Sequence, residues 1–318
     1  MTRFNRRTVG PIVLVVVGAL LAYCLVPRFG TRINIGYFLL QSVPLLLTAV
    51  GQTLVIITAG IDLSVGASVT LAGVVASLMM DPANGGSVPL ALGACLGAAV
   101  AVGLVNGLLI VRYNLPPFLA TLGMTFFLAG INLYLRPVPG GHIARSFQDA
   151  AATRWGPVPA TAAVTLIFLS LIAVYVDRSR FGLRLRAVGW NENSARLAGV
   201  SPGAIKITAY VVSALLASAA GLFIASRTGS GDPLVGNTYQ LSSISAAVLG
   251  GINLFGGRGT VWGAIAGAIA LAMIGNVLNL LGVVAYWQWI AQGAVLLLAV
   301  ALYAIDFGAR RSAQLASM

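Results

Sequence analysis

The feature that most constrains the fold is a succession of long apolar runs that carry almost no charged residues. A helix needs roughly 20 apolar residues to cross the hydrocarbon of a bilayer, where its backbone groups must all find internal partners. The runs therefore predict an all-α polytopic membrane protein with about ten spans, forming a single transmembrane domain over residues 1–318. The predicted spans are 11–27, 36–58, 63–80, 88–110, 117–135, 158–176, 204–226, 236–252, 260–281 and 286–305.

The second and eighth predicted spans contain residues that interrupt membrane helices. Pro44 lies inside the second span, and Ser242, Ser243 and Ser245 lie inside the eighth. Proline removes a backbone donor, and irregular backbone occurs at membrane depth where protein or a water-filled cavity surrounds it. These two spans are therefore expected as candidates for broken or re-entrant helices.

Composition supports the membrane assignment and excludes other classes of protein. The chain is 58% hydrophobic and 8% charged over 318 residues, more apolar surface than a soluble core of this size can bury. Its net charge of +12 does not indicate nucleic-acid binding, because the arginines cluster at span ends and form no single basic face. Cys24 and Cys95 lie in apolar runs, so neither a disulfide nor a metal site is expected.

The distribution of basic residues predicts the orientation of the chain in the membrane. With both termini in the cytoplasm, the inner segments hold thirteen of the nineteen basic residues and the outer segments hold six. Basic residues accumulate on the cytoplasmic side, so this orientation is favoured over its inverse. The first run follows three arginines, as in a signal peptide, but no small-residue cleavage site follows, so a retained span is expected. The inner set is Arg3, Arg6, Arg7, Arg112, Arg178, Arg180, Arg184, Arg186, Arg196, Lys206, Arg258, Arg310 and Arg311.

The longest polar interval, residues 177–206, holds six of these basic residues. Within it, Asn191 or Asn193 can cap a short helix, because a side-chain oxygen there accepts an unpaired N–H of the first turn. Gly199 supplies a stop, since glycine adopts the left-handed conformation at no steric cost. The interval therefore predicts a small cytoplasmic helix over 191–198 that meets a partner. The alternative is an ordinary positively charged loop that only fixes topology.

No catalytic constellation is visible in the sequence. The chain has one histidine, no phosphate-binding loop of the Walker type and no paired acids at helical spacing. It also lacks the row of ionisable residues within spans that is typical of a proton or sodium relay, and Asp62 is the one acid near a span. The sequence therefore predicts a non-catalytic subunit without a cofactor of its own.

Uncharged polar residues occur at helical spacing within the spans. Hydroxyl and amide groups can exchange hydrogen bonds with a neutral polyhydroxylated solute and impose no charge barrier. The alternative is hydrogen bonding between helices, which the same residue types provide in membranes. The set predicted to line or flank a pathway is Gln41, Thr48 and Gln52 in the second span, Asn106 in the fourth, Thr121, Thr125 and Asn132 in the fifth, and Asn276 and Asn279 in the ninth.

Two glycine-rich turns, one in each half of the chain, have similar sequences. Residues 60–66 read Gly-Ile-Asp-Leu-Ser-Val-Gly, and residues 251–257 read Gly-Ile-Asn-Leu-Phe-Gly-Gly. Each turn opens a helix rich in small residues, and repeats in the two halves of a transporter commonly flank a central pathway. Asp62, Ser64 and Asn253 therefore join the predicted pathway set. A chance match between short glycine-rich strings is the alternative.

Four long segments carry a family resemblance: 51–73 (GQTLVIITAGIDLSVGASVTLAG), 118–133 (FLATLGMTFFLAGINL), 180–221 (RFGLRLRAVGWNENSARLAGVSPGAIKITAYVVSALLASAAG) and 246–283 (AAVLGGINLFGGRGTVWGAIAGAIALAMIGNVLNLLGV). They resemble the permease subunits of bacterial ABC importers for monosaccharides, the branch that handles ribose, xylose, arabinose and galactose. The resemblance covers nearly the whole chain after the first span, in the family's order.

The resemblance implies an assembly of several subunits. It implies two permeases, as a homodimer or a pair with a related permease, and a periplasmic or lipid-anchored sugar-binding protein. It also implies a cytoplasmic ATPase with two fused nucleotide-binding halves, which would bind ATP and Mg²⁺. A short helix, matched by residues 189–199, would dock into that ATPase and switch the pathway between outward and inward access. The implied ATPase contacts are Trp190, Asn191, Glu192, Ala195, Arg196 and Gly199.

The chain departs from the family near the predicted pathway. Relatives often carry acids where this chain has Gln240 and Ser242, and Phe255 is bulkier than the residue in many relatives. Gln240 and Ser242 therefore join the pathway set, and a pentose, a hexose, a furanose form, a polyol and a deoxysugar all stay open as substrates.

A stand-alone sugar facilitator or secondary carrier is the alternative function. A third is a structural membrane subunit of another ATPase-driven complex.

Overall fold

The computed structural model describes residues 6–284, 286–290, 293–294 and 297. The described residues form twelve α-helices, a 3-10 turn at Pro82–Asn84 and one two-stranded antiparallel hairpin. The helices are α1 Arg6–Leu25, α2 Arg32–Ile57, α3 Val65–Met79, α4 Val88–Arg112, α5 Pro117–Leu135, α6 Arg145–Ala152, α7 Ala160–Arg178, α8 Arg180–Trp190, α9 Glu192–Leu197, α10 Pro202–Thr228, α11 Asn237–Leu249 and α12 Val261–Leu280; the strands are β1 Arg154–Trp155 and β2 Val158–Pro159.

The all-α membrane architecture is confirmed. Six of the described helices, namely α2, α4, α5, α7, α10 and α12, are long and apolar enough to cross a membrane. Helices α1, α3 and α11 fall on three further predicted spans. The tenth predicted span, 286–305, lies mostly outside the described residues, with helix described at 286–290. Arg3, Arg310, Arg311 and the chain termini also lie outside them.

Helix α2 runs without interruption through Pro44, so the break predicted for the second span is not found. Proline is tolerated in a membrane helix when neighbouring helices and side chains compensate for the lost hydrogen bond. α2 packs against α10, α11 and α12, which hold it on several sides. The hydroxyl of Thr48 also donates to the carbonyl oxygen of Pro44 over 2.8 Å. The packing around α2 therefore outweighs the local preference of proline.

The eighth predicted span forms one short helix, α11, which runs through Ser242, Ser243 and Ser245 without the break expected there. Helix α11 has 13 residues and therefore a length of about 20 Å, less than the hydrocarbon thickness. The segment before this helix, residues 231–236, has irregular backbone and lies beside α3. Gly231 exchanges two backbone hydrogen bonds with Gly140 near the end of α3, and the N–H of Gly236 donates to the hydroxyl of Thr70 over 3.0 Å. Irregular backbone therefore enters the bundle where protein groups satisfy it, as expected at membrane depth.

The centre of the bundle is α10, which packs against α2, α3 and α4. Its contact with α4 depends on two glycines, Gly103 and Gly107, at the four-residue spacing that lets membrane helices approach closely. A Cβ atom at Gly103 would lie 2.5 Å from the Cα atom of Val211, and one at Gly107 would lie 2.9 Å from that of Ile207. The two backbones are therefore in direct contact along this crossing.

Replacement of Gly103 by alanine should destabilise the fold, because the added methyl group would force α4 and α10 apart. Overpacking of this kind costs about 1–3 kcal/mol. The matched control is Gly97→Ala on the same helix, where a Cβ atom would meet nothing within 4 Å and alanine should favour the helix. Thermal unfolding in detergent should give a lower midpoint for Gly103→Ala than for Gly97→Ala. Equal midpoints would show that this crossing is looser than described.

Candidate functional site

The polar interval between α7 and α10 forms two helices, α8 and α9. α9 begins after Asn191, whose extended backbone and side-chain oxygen cap it by accepting the Ser194 N–H over 2.8 Å. Beyond its end, Gly199 adopts a left-handed φ of 78° and donates its N–H to the carbonyl oxygen of Arg196. The predicted helix 191–198 is therefore confirmed to within a residue at each end. α8 was not predicted, although Ser179 caps it through the N–H of Gly182.

Three charged contacts fix α8 and α9 to the membrane helices. Arg186 of α8 forms an ion pair with Asp177 at the end of α7, and its Nε donates to the carbonyl oxygen of Gly259 over 3.3 Å. Glu192 of α9 forms an ion pair with Lys206 in the first turns of α10. These contacts join both short helices to spans in both halves of the chain.

The end of α8 packs on the end of α2 and on the second glycine-rich turn. The carbonyl oxygen of Ile57 accepts the N–H of Gly257 over 2.9 Å. A Cβ atom at Gly189 would collide with the same carbonyl group, so α8 can approach only through a glycine. The guanidinium carbon of Arg258 lies 4.3 Å from the centre of the Trp190 ring, a cation–π contact. Three separate parts of the chain therefore meet at Ile57.

The two glycine-rich turns border the same small apolar cluster. Leu63 of the first turn packs with Ile244 and Val248 of α11, and Ile61 and Leu254 complete the same small apolar cluster. The turns predicted from their similar sequences to be related are therefore neighbours in space.

Both short helices present side chains to solvent. Trp190 is 64% exposed and Leu197 is 90% exposed, values that are high for large apolar residues. Ala195, by contrast, is 3% exposed and packs against the protein, so its side chain positions α9. We give the name α8–α9 surface to Leu197 together with the exposed residues among the implied ATPase contacts; it comprises Trp190, Asn191, Arg196, Leu197 and Gly199.

A buried polar network surrounds Asp62 in the first turn. The Asp62 carboxylate accepts the N–H and the hydroxyl of Ser64 over 2.9 and 2.6 Å, and the hydroxyl of Ser213 over 3.2 Å. The amide of Asn106 donates to the Ser64 hydroxyl over 2.9 Å. Asp62 is 2% exposed, and the ion pairs among the described residues do not include it. Neutral donors from its own turn and from α10 therefore stabilise this carboxylate, and Asn106 of α4 in turn supports Ser64.

Two more predicted pathway residues bind the backbone of the same turn. The Gln52 amide, oriented so that both its groups are satisfied, pairs with the carbonyl oxygen and N–H of Asp62 over 3.0 and 3.2 Å. The hydroxyl of Thr121 donates to the carbonyl oxygen of Ile61 over 3.1 Å, and that of Tyr210 lies 3.4 Å from it. The structure therefore brings five predicted residues together, Gln52, Asp62, Ser64, Asn106 and Thr121, in one interhelical network.

Three further predicted residues are buried elsewhere in the bundle. Asn276 of α12 and Asn34 of α2 exchange two amide hydrogen bonds of 3.0 and 3.1 Å. The Asn132 amide donates to the carbonyl oxygen of Ala67 over 3.1 Å. The hydroxyl of Thr48 donates within its own helix, to the carbonyl oxygen of Pro44. The bonds of Asn132 and Asn276 join separate helices, which is the behaviour of interhelical hydrogen-bonding residues.

The remaining predicted residues are accessible but dispersed in the single chain. Gln41 and Asn279 are exposed, and Thr125, Gln240, Ser242 and Asn253 are partly exposed. They belong to α2, α12, α5, α11 and the second turn and do not form one cluster. Sequence reasoning missed Ser213, Tyr210 and Arg258. Arg258 directly follows the second turn, and a lone basic residue beside a glycine-rich turn is a signal that could have identified it.

The Asp62 network predicts a stability effect of substitution at this residue. Asp62→Ala should leave the donors of Ser64 and Ser213 buried without an acceptor. Each buried donor without a partner lowers the free energy of unfolding by about 1–3 kcal/mol. The control, Asn279→Ala, removes an exposed amide and should change the free energy of unfolding by less than about 0.5 kcal/mol. Thermal unfolding of both variants measures the difference. An Asp62→Ala midpoint equal to wild type would contradict the network.

Comparison with known proteins identifies the family. Residues 34–300 match the family described as branched-chain amino acid transport system / permease component. The ribose import permease protein RbsC of Escherichia coli K12 is 36% identical over 86% of both chains. The galactose/methyl galactoside import permease protein MglC of the same strain is 33% identical over 90% of both, and the ribose import permease of Bacillus subtilis is 33% identical over 92% of this chain and 91% of its own. No solved structure matches. The chain therefore belongs to the family of ABC-importer permeases that includes the ribose and galactose import permeases.

Proposed function

We propose that this chain is the permease subunit of an ATP-driven importer that carries a monosaccharide across the bacterial inner membrane. The relatives named above are ribose and galactose/methyl galactoside import permeases, which supports a pentose or a hexose, including a furanose form, as the proposed substrate. The observation that carries the proposal is the α8–α9 surface, a rigid, exposed and partly apolar face attached to the ends of spanning helices. Such a surface is expected where a subunit that hydrolyses ATP has to move the spans.

The proposed partners follow from this arrangement. A cytoplasmic ATPase with two fused nucleotide-binding halves would cover the α8–α9 surface and hold ATP and Mg²⁺. A second permease, identical or related, would complete the membrane core, and a periplasmic or lipid-anchored sugar-binding protein would deliver sugar at the opposite side. Both termini of this chain would then lie in the cytoplasm, as its basic residues predict.

The contacts of α8 and α9 supply a route by which ATPase movement would reach the pathway. The Glu192–Lys206 ion pair would transmit displacement of α9 to α10. The Trp190–Arg258 contact would transmit displacement of α8 to the second turn, which borders the same apolar cluster as the first turn and α11. Coupled displacement of both turns would switch the core between outward and inward access, since packed elements move between discrete arrangements.

The pathway itself is proposed to use the accessible polar residues. A solute can exchange hydrogen bonds only with groups that it reaches, and a neutral sugar needs no counter-charge. Gln41, Thr125, Gln240, Ser242, Asn253 and Asn279 meet this condition, whereas the buried set around Asp62 would hold the helices in position. The second permease would bring accessible residues of two chains to face each other.

Sugar uptake into proteoliposomes tests the proposed function. The chain, reconstituted with its fused ATPase and sugar-binding protein, should accumulate labelled ribose or galactose only when ATP is present. The chain alone should move neither sugar. ATP-independent equilibration by the chain alone would instead support the facilitator, and failure to assemble with any ATPase would contradict the proposal.

Leu197→Ala should weaken ATPase binding, because a side chain that is 90% exposed in the single chain would become buried in the complex. We expect roughly tenfold weaker association, equivalent to about 1.4 kcal/mol. The matched control is Asn193→Ala, an exposed polar position on the same helix. Association is measured by titrating the detergent-solubilised permease with ATPase. Equal affinities for the two variants would remove Leu197 from the interface.

Arg258→Gln should lower the amount of sugar transported per ATP while the complex still assembles. The cation–π contact with Trp190 is worth about 0.5–1 kcal/mol at an exposed site, so a loss of roughly two- to fivefold is expected. Arg258→Lys keeps the cation and should retain most of the coupling. Parallel measurement of ATP hydrolysis and uptake gives the ratio. A wild-type ratio in Arg258→Gln would show that this contact transmits nothing.

A further inference from the structure

A cavity of about 330 Å³ lies at the end of the bundle where α2 begins. Its walls come from α2, α6, the hairpin and the last turn of α10, with Pro159 directly before α7 at its edge. It is separate from the α8–α9 surface, which lies at the other end of α2. The lining residues are Leu40, Arg145, Gln148, Asp149, Ala151, Ala152, Arg154, Pro159, Ser226 and Arg227.

Positive charge dominates this cavity. Arg145, Arg154 and Arg227 contribute three guanidinium groups against the single carboxylate of Asp149. The ion pairs found in the described part of the chain include none of these four residues, although all four line the same space. Several like charges within one cleft concentrate its electric potential and favour an anion from outside. The cavity therefore combines unneutralised cations with room for a small charged group.

The walls of the cavity are held by local contacts. Arg154 stands on β1 opposite Pro159 in the hairpin, and its guanidinium lies 3.6 Å from the position that a Cβ atom on Gly36 of α2 would take. The Gln148 side chain donates to the carbonyl oxygen of Ile143, a fully buried residue that anchors the start of α6. The backbone of Arg154 and the α6 wall are therefore fixed by contacts within the chain.

The cavity lies near the ends of two spans, where lipid headgroups are expected. Ser226 and Arg227 belong to the last turn of α10, and Pro159 precedes the first residue of α7, so the cavity lies level with the ends of two spans. Leu40 is eight residues into α2, about 12 Å from its start, and contributes an apolar floor. Below this level α7 carries exposed apolar side chains, among them Val164 and Ile167, that acyl chains can contact.

We propose that this cavity binds a phosphate group, held by Arg145, Arg154 and Arg227. Guanidinium groups pair with phosphate oxygens in a bidentate manner, and phosphate would neutralise charges that the chain leaves unpaired. The position of the site near the ends of two spans points to the headgroup of an anionic phospholipid, and inorganic phosphate shares the same chemistry. The inference does not depend on the proposed import function and needs neither an ATPase nor a sugar.

The test uses the purified full chain in nanodiscs of phosphatidylcholine that contain increasing shares of phosphatidylglycerol. The thermal unfolding midpoint of the wild type should rise with the anionic lipid and then saturate. In the double variant R154Q/R227Q, half-saturation should require roughly tenfold more anionic lipid, because two ion pairs of exposed arginines with phosphate are lost. The matched control is Arg32→Gln, an exposed arginine at the start of α2 that does not line the cavity.

A separate arm adds inorganic phosphate to nanodiscs of pure phosphatidylcholine. Phosphate stabilisation of the wild type that the double variant lacks would support the site with free phosphate as the source. A shift confined to phosphatidylglycerol would support the lipid headgroup. The same lipid and phosphate response in wild type, double variant and Arg32→Gln would overturn the proposal, as would the absence of any response in the wild type.

Discussion

The structure depends on which groups form hydrogen bonds with the last carbonyl oxygens of α2. The last carbonyl groups of a helix have no partner within it, and an unpaired carbonyl inside a membrane protein is costly. At Ile57 the partner is the N–H of Gly257, supplied by the other half of the chain, and Gly189 allows α8 to pack against the same carbonyl group. This junction joins the first half of the bundle, the second glycine-rich turn and the segment that bears the α8–α9 surface. A force on that surface would reach both halves through it.

The polar residues of the spans divide into two groups with different physical roles. Those around Asp62, together with Asn132 and the Asn34–Asn276 pair, are buried and form hydrogen bonds that fix neighbouring helices. Residues such as Gln41 and Gln240 remain accessible in the single chain. Low dielectric strengthens the buried bonds and makes their loss costly, which suits a rigid scaffold. Accessible groups can exchange partners with water or a solute. The pathway proposed for these neutral groups would suit a permease that leaves selectivity to a separate binding protein.

Most of the architecture could be predicted from sequence because it follows from local chemistry. Run length identified the spans, and the capping residues Asn191 and Gly199 located α9. The irregular segment 231–236 could not be predicted, since it depends on contacts with Thr70 and Gly140 that are distant in the chain. Periodicity placed Gln41 and Gln52 on one face of α2, but it does not state which part of that face a neighbouring helix covers. Gln52 is buried and Gln41 is exposed for that reason. Arg258 was missed because its partner, Trp190, lies in another part of the sequence.

Movement of α8 is proposed to reach the transmembrane core through the contact of Trp190 with Arg258. A double-mutant cycle tests it most directly, with the ratio of sugar transported to ATP hydrolysed as the measured quantity for wild type, Trp190→Ala, Arg258→Gln and the double variant. If the two residues act through one contact, the double variant should be no worse than the more impaired single variant. Losses that multiply independently would contradict the claim, because each residue would then act through separate partners.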